Sequence, residues 1–310
     1  MMASIIRQNK VIYYIQAFLR SLLPADDYVS RIKSLKKKLT PQQLKEVEAR
    51  VSYYNKLEDH VARSGQHSIK NLRKAQKPKV YYFDAYEYAR FFDENLRLNH
   101  VFGDVTHIPE VPSLVKSRPV SADNQNSVLM SLNKVRHVKW IKNDRPFLQK
   151  KDMLIGRGTV FQEHRYRFYD LFFDHPLCDL GQVNKEGGNP RWWKPKISVQ
   201  DHLAYKFILC LQGNDVATNL KWVMSSNSVA VMPKPTLETW FMEGTLTGGQ
   251  HYIEIKSDYS DLEEQLRYYI SHPDKCLEII NNANRHCAQF FNKHTEDLCN
   301  LLVLRKYFVE

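Results

Sequence analysis

The sequence predicts an α/β protein: two Rossmann-type domains facing a central cleft, with extra helices at the N- and C-terminal ends. Three observations carry that expectation. From residue 79 onward, short apolar runs alternate with helical patterns, as strands of a parallel sheet and their crossover helices do. The alternation restarts near residues 145–150, which splits it into two blocks, and 310 residues leave room for both. The conspicuous polar residues collect just beyond the apolar runs, at the carboxyl ends of strands where open α/β sheets bind ligands.

Taken in order, VIYYIQAFLRSLL (residues 11–23) places Ile12, Ile15, Leu19 and Leu22 on one helical stripe. A basic amphipathic helix of this kind either lies in a membrane interface or packs on its own domain. Residues 29–64 read as helical, as two helices or one broken helix, with Thr40-Pro41 as a start signal after Lys36-Lys37-Lys38. Val80-Tyr81-Tyr82-Phe83 reads as a strand, Ala85 to Phe92 as a helix, and 99–102 as a strand ending at Gly103-Asp104. Pro109, Pro112 and Pro119 mark an extended loop. Ser127 to Val135 then suits a helix and 138–141 a strand.

The second block opens with a strand at 153–155 that ends in Gly156-Arg157-Gly158, followed by a helix from Tyr166 to Phe173 and a strand at 178–180. A breaker-rich loop covers 184–196. Beyond it the pattern predicts helix 199–204, strand 206–211, helix 215–225, strand 229–232 and a short helix from Glu238. Strand 252–255 and helices 258–271, 273–290 and 294–307 complete the chain.

Composition narrows the class. With 43% hydrophobic and 25% charged residues the chain is a folded protein, not a disordered one. No stretch approaches the roughly 18 apolar residues of a transmembrane helix. The N-terminal apolar segment lacks a small-residue cleavage site and does not read as a signal peptide. Five scattered cysteines with no CxxC pair argue against a disulfide framework or a zinc site, and fit a reducing compartment with the cytosol as default.

The net charge of +11 is unevenly placed: residues 1–80 hold 17 Lys and Arg against 6 Asp and Glu, while the remainder holds 28 of each sign. Such a segment either meets an anionic partner (membrane, nucleic acid or phosphorylated acceptor) or is a solvated basic face.

Three constellations carry candidate chemistry. In LQGNDVATNLKW (211–222), Gly213 permits a tight strand-to-helix turn, and a helix start bearing Asn214, Asp215, Asn219 and Lys221 suits a phosphate or diphosphate. The same residues equally suit a turn whose helix is capped by Asp215. Arg157, flanked by Gly156 and Gly158, has room for a bidentate phosphate contact, with Arg165 in the same positive region; a helix-face ion pair is the competing fate of Arg165. Asp104, after a strand and beside Gly103, is placed either to act as a general base or to cap a turn. Walker A, dinucleotide-fingerprint, nucleophile-elbow and Asp-x-Asp patterns are all missing, and no histidine spacing suggests metal ligation.

The order of these motifs resembles glycosyltransferase family 90, which includes bacterial lipopolysaccharide-core enzymes and animal protein O-glucosyltransferases. The resemblance rests on Asp201-His202, Tyr205-Lys206-Phe207, Gly213, Ser228-Val229, Glu238-Thr239-Trp240-Phe241, His251-Tyr252 and Ser260-Asp261-Leu262. It extends upstream through Arg157-Gly158 to GDVTHIP and KSRP, covering roughly residues 100–300. GNDVATNLKW is closer to the bacterial type.

The resemblance implies a GT-B architecture and inversion at the anomeric carbon with no metal or other cofactor. Asp104 falls at the family's general base and Arg157-Gly158 at its diphosphate element. Asn219 stands where the animal enzymes place an arginine, and Lys221 is kept. Glu238 is then expected to accept hydrogen bonds from sugar or ribose hydroxyls, and Arg118 and Arg165 to contact acceptor or phosphate.

The implied organisation is a basic helical segment (1–78), an acceptor domain (79–148), a nucleotide-sugar domain (149–292) and a C-terminal helix (293–310) returning to the acceptor domain. The implied activity is transfer of glucose or galactose from UDP-glucose or UDP-galactose to a lipopolysaccharide core. The basic N-terminus would then bind the cytoplasmic face of the inner membrane, and no nucleic acid is expected. Two alternatives stay open: transfer to another glycan or protein hydroxyl, and a basic nucleic-acid- or membrane-binding protein without catalysis.

Overall fold

In the computed structural model, residues 3–58 and 65–308 are described, and the chain divides into two units. The first unit comprises residues 1–7, 138–235 and 245–287, and the second comprises 8–137, 236–244 and 288–310. The mixed α/β class with parallel sheets is as the sequence predicts.

The first unit is built on a five-stranded, all-parallel sheet in the order Cys178–Gln182, Lys151–Gly158, Tyr205–Leu209, Val229–Met232, Ile253–Glu254. Leu154, Ile155, Phe207, Ile208, Val229, Val231 and Ile253 are all buried, the near-continuous apolar lettering of strands covered on both faces. Phe168 and Tyr169 of the Glu163–Phe172 helix, Leu262 and Leu266 of Leu262–Ser271, and Ile279 and Ile280 of Pro273–Ala288 complete that core. The strand Lys151–Gly158 starts two residues before the expected 153 and takes in Gly156-Arg157-Gly158. Gly156 lies within it, where a Cβ would stand 2.9 Å from Leu180 Cδ2 and 3.1 Å from Leu209 Cδ2. The expected helix 215–225 is confined to Leu220–Met224, so neither Asp215 nor the rest of 213–218 belongs to a helical turn.

The second unit has a three-stranded parallel sheet, His100–Val101, Ser113–Val115 and Ser127–Leu129, and an antiparallel pair of Ser117–Pro119 with Leu237–Thr239. The helix Pro41–Tyr54 begins at Thr40 with a reciprocal cap: the Gln43 backbone donates to Thr40 Oγ1 at 3.2 Å, and the Thr40 backbone to Gln43 Oε1 at 2.9 Å. The expected 29–64 helix is two helices, Tyr28–Lys36 and Pro41–Tyr54; its end beyond residue 58 lies outside the described residues.

Three sequence expectations are corrected here. The 80–83 strand is part of the helix Lys79–Ala89: Tyr81, Ala85, Tyr88 and Ala89 are buried at helical spacing, and this periodicity outweighs the β-propensity of consecutive aromatics. The 127–135 helix is instead the strand Ser127–Leu129 and the short helix Lys134–His137, separated by Asn133 at φ 57°. Glu238 starts no helix but sits in a strand, through pairing with a segment more than a hundred residues away.

The helix Lys293–Phe308 is buried almost all round, with Leu298, Cys299, Leu301, Val303 and Leu304 fully inaccessible, and packs on Tyr28–Lys36, Pro41–Tyr54 and Lys79–Ala89. Near its start, Glu296 pairs with the buried Arg50. Arg50 also donates to Tyr54 Oη at 3.0 Å and the Gln289 carbonyl at 3.2 Å, and lies 4.6 Å from the Phe290 ring centre. Removing one partner of a buried pair strands the other charge. Glu296→Ala is therefore expected to cost about 3 kcal/mol or more in urea unfolding, whereas a loss below about 1 kcal/mol would show the pair to behave as a surface bridge.

Candidate functional site

In the second unit the candidate residues are arranged around the Ser117–Pro119 strand. Gly103 has φ +141°, a conformation that side-chain-bearing residues rarely adopt, and it turns the chain into Asp104. Ser117 Oγ fixes the next residue, receiving the Val105 N–H at 3.1 Å and donating to the Val105 carbonyl at 2.9 Å. Lys116 Nζ pairs with Asp104 Oδ1; the lysine side chain is 1% exposed and the aspartate 26%. The result is a solvent-reachable carboxylate anchored from beneath by a buried ammonium.

Arg118, one strand position further on, is wholly buried. It donates to Glu238 Oε1 at 2.7 Å and to the carbonyls of Tyr53 at 2.8 Å, Ser127 at 2.9 Å and Tyr54 at 3.3 Å. Glu238 Oε2 accepts the Tyr53 hydroxyl, and a Cβ at Gly244 would stand 2.6 Å from that same oxygen. Both oxygens of Glu238 are thus engaged, and Arg118 serves to tie a helix end to two strands.

In the first unit the candidates lie at the carboxyl edge of the parallel sheet. Arg165, on the helix Glu163–Phe172, sends Nε to the Gln212 carbonyl at 2.7 Å, Nη2 to Leu211 at 2.8 Å and Nη1 to Thr159 at 2.8 Å. It thereby joins the chain leaving strand Lys151–Gly158 to the chain leaving Tyr205–Leu209. Gly158 and Gly213 flank this guanidinium; a Cβ at either would meet it at 3.7 and 3.5 Å, ordinary contact distances. Two of the loop's amides are similarly engaged. Asn214 Oδ1 accepts from Gln162 Nε2 at 2.8 Å, Asn219 Nδ2 donates to the Leu209 carbonyl at 2.9 Å, and Asp215 is buried. Lys221 has 0% exposure, so a ligand reaches it only if its surroundings move.

Arg157 contributes to a second cluster at this edge. Its Nη2 donates to Asp179 Oδ1 at 2.7 Å and its Nη1 to the Asp179 carbonyl at 2.6 Å. Lys194 Nζ reaches Oδ1 of the same carboxylate at 2.9 Å, and the Tyr205 hydroxyl reaches Oδ2 at 2.7 Å. Burial acts to raise the Asp179 carboxyl, but the hydrogen bonds from Lys194, Arg157 and Tyr205 outweigh it and hold its pKa at about 2. Arg157 Nε has no hydrogen-bond partner.

Sequence reasoning singled out Arg157 but missed Asp179, Lys194 and Tyr205 as its neighbours, and chose Arg118 from KSRP while passing over Lys116 two residues earlier. The available signals were the Tyr205-Lys206-Phe207 motif and the lysine of KSRP itself. The Asp201-His202 motif has a local role: Asp201 Oδ2 accepts the Ser198 N–H at 2.9 Å in a capping box.

Residues 182–300 match the family model described as glycosyl transferase family 90. Over 262 residues the chain is 43% identical to the O-glucosyltransferase LpsA of Dichelobacter nodosus, covering 84% of this chain and 82% of that one. Weaker likenesses run to uncharacterized protein 027R of Frog virus 3 (isolate Goorha), 26% identical over 120 residues, 37% of this chain and 12% of that one. Uncharacterized protein 179R of Invertebrate iridescent virus 6 is 27% identical over 124 residues, 36% of this chain and 10% of that one. With polar groups massed at the carboxyl edge of a parallel sheet, these likenesses define the protein as an enzyme, a glycosyltransferase. The chain belongs to glycosyl transferase family 90, as its motifs led one to expect.

Two outcomes follow from this geometry. Arg165→Met deletes three charge-assisted bonds to carbonyls, and is expected to lower stability by about 2–4 kcal/mol and to speed amide exchange at 211–219. Unchanged exchange there would show that the loop does not depend on the clamp. For Asp179, the folded pKa of about 2 lies below the ordinary 3.8. Its contribution to stability is therefore present above pH ~4 and lost as pH falls towards ~2. The stability gap between wild type and Asp179→Asn should shrink across that window; a constant gap would show that the carboxylate's charge is not what its three donors hold.

Proposed function

We propose that the protein is an inverting, metal-independent glycosyltransferase of GT-B architecture that moves a hexose from a UDP-sugar to a lipopolysaccharide or lipooligosaccharide core acceptor. The observation that carries this reading is Asp104: a partly exposed carboxylate, set by a positive-φ glycine and anchored by a buried lysine. A general base needs that combination of access and fixed position. The name borne by the Dichelobacter nodosus relative favours glucose over galactose as the hexose.

In the proposed reaction, Asp104 takes the proton of an acceptor hydroxyl as that oxygen bonds to C1 of the sugar. The C1–oxygen bond to the diphosphate breaks on the opposite face, and its electron pair leaves with UDP. Negative charge therefore grows on the diphosphate while C1 gains oxocarbenium character. Arg157 is the principal group proposed to meet that charge, supported by the backbone of 213–219 and, after rearrangement, Lys221. Lys194 and Tyr205 hold Asp179 independently, so Arg157 can turn from that carboxylate to a phosphate without leaving it unpaired.

Placement at the cytoplasmic face of the inner membrane, with the basic N-terminal segment against anionic lipid, completes the reading. No described helix is long and apolar enough to cross a membrane.

The test is UDP-hexose hydrolysis or transfer with EDTA present, for wild type and Asp104→Asn. Activity is expected to survive EDTA and to fall by about 10²-fold or more in the variant. Full activity in Asp104→Asn would remove Asp104 as base, and strict metal dependence would overturn the mechanism.

A further inference from the structure

The helix Lys10–Leu22 docks by a narrow face. Tyr13 and Ala17 are its buried residues; the Tyr13 hydroxyl donates to Asp84 Oδ1 at 2.9 Å, and Arg20 pairs with Glu87 at 3.0 Å, both on the helix Lys79–Ala89. Turned away from that contact, Val11, Ile12, Ile15, Phe18, Leu19 and Leu22 are 47–66% exposed. At ~100° per residue these six fall within an arc of about 120°, an unbroken apolar stripe. Scattered exposed apolar residues need no explanation, but a contiguous face of this kind marks a surface that meets something apolar.

The charges close to the stripe in sequence indicate what covers it. No acidic residue precedes Asp26, Lys10 opens the helix, and Lys33, Lys36, Lys37 and Lys38 are exposed on the helix that follows and just after it. A second copy of the chain laid on this face would bring two such basic segments together. An anionic lipid surface instead offers acyl chains to the stripe and phosphates to the lysines. Thirteen residues of helix span about 20 Å, short of the roughly 30 Å hydrocarbon core, so the helix lies along the interface.

We propose that the exposed face of Lys10–Leu22 embeds in the headgroup–acyl boundary of an anionic bilayer and orients the enzyme on it. This deepens the membrane placement proposed above by naming the element that makes contact, and it is independent of the role given to Asp104.

Co-sedimentation of the full chain with phosphatidylcholine vesicles, with and without about one-third phosphatidylglycerol, tests it. Binding is expected to the anionic vesicles, weakened at least ~10-fold by Ile15→Ser/Phe18→Ser and by Lys36→Glu/Lys37→Glu/Lys38→Glu, with UDP-hexose hydrolysis unchanged in both. All five native cysteines are buried, so an Ile15→Cys variant takes an environment-sensitive dye at one site. That dye should shift to the blue on anionic vesicles. Equal binding by the Ile15→Ser/Phe18→Ser variant, or no spectral shift, would overturn the proposal. So would a dimer in light scattering that this variant dissolves while vesicle binding is unchanged. Loss of hydrolysis in Asp104→Asn with vesicle binding intact separates this question from the catalytic one.

Discussion

Where parallel strands end, their last carbonyls point out of the sheet together and must find donors. The first unit meets that requirement with Arg165, whose guanidinium bonds the carbonyls of Thr159, Leu211 and Gln212 beyond two adjacent strands. A planar fork with fixed donors can serve three carbonyls at once, which an ammonium on a flexible stem does less well. Arg165, together with the bonds from Gln162 to Asn214 and from Asn219 to the Leu209 carbonyl, holds the loop 211–219 and the exit of the strand Lys151–Gly158. The polarity between the buried runs is explained first as internal bonding, and whatever the loop offers a donor substrate is offered by backbone positioned in this way.

The second unit uses the same device with a different fork. Arg118 gathers the carbonyls of Tyr53, Tyr54 and Ser127 and is neutralised by Glu238, whose second oxygen takes the Tyr53 hydroxyl. Buried ions of this kind carry a heavy desolvation cost, which the Arg118–Glu238 pairing and the carbonyl bonds offset. Against that rigid background the pair Lys116–Asp104 differs in one respect: its acid is open to solvent. A fixed ammonium beside a carboxylate that solvent can reach holds the acid in place.

The two ends of the proposed reaction therefore depend on different physics. The proposed base is held by the buried Lys116 ammonium and set by the turn at Gly103 and the Ser117 hydroxyl, whereas the cationic group proposed for the leaving diphosphate is held by a carboxylate with three donors. The N-terminal helix adds a third element, fixed by a tyrosine, an alanine and one ion pair, with its larger apolar face left exposed.

By itself the sequence determined the α/β class, the strands 178–182, 205–209 and 229–232 within a residue or two, the Thr40-Pro41 helix start and the family, because these rest on local periodicity, caps and motif order. Only the tertiary structure decided that Glu238 lies in a strand beside Arg118, and that Lys221 is buried. It also decided that Arg165 closes carbonyls and that Asp179 faces Arg157. These outcomes are set by partners distant in sequence. A strand paired across more than a hundred residues, or a guanidinium meeting carbonyls from two other segments, leaves no periodic trace in its own neighbourhood. The residue types at the site could be read from the chain, but what each one bonds could not.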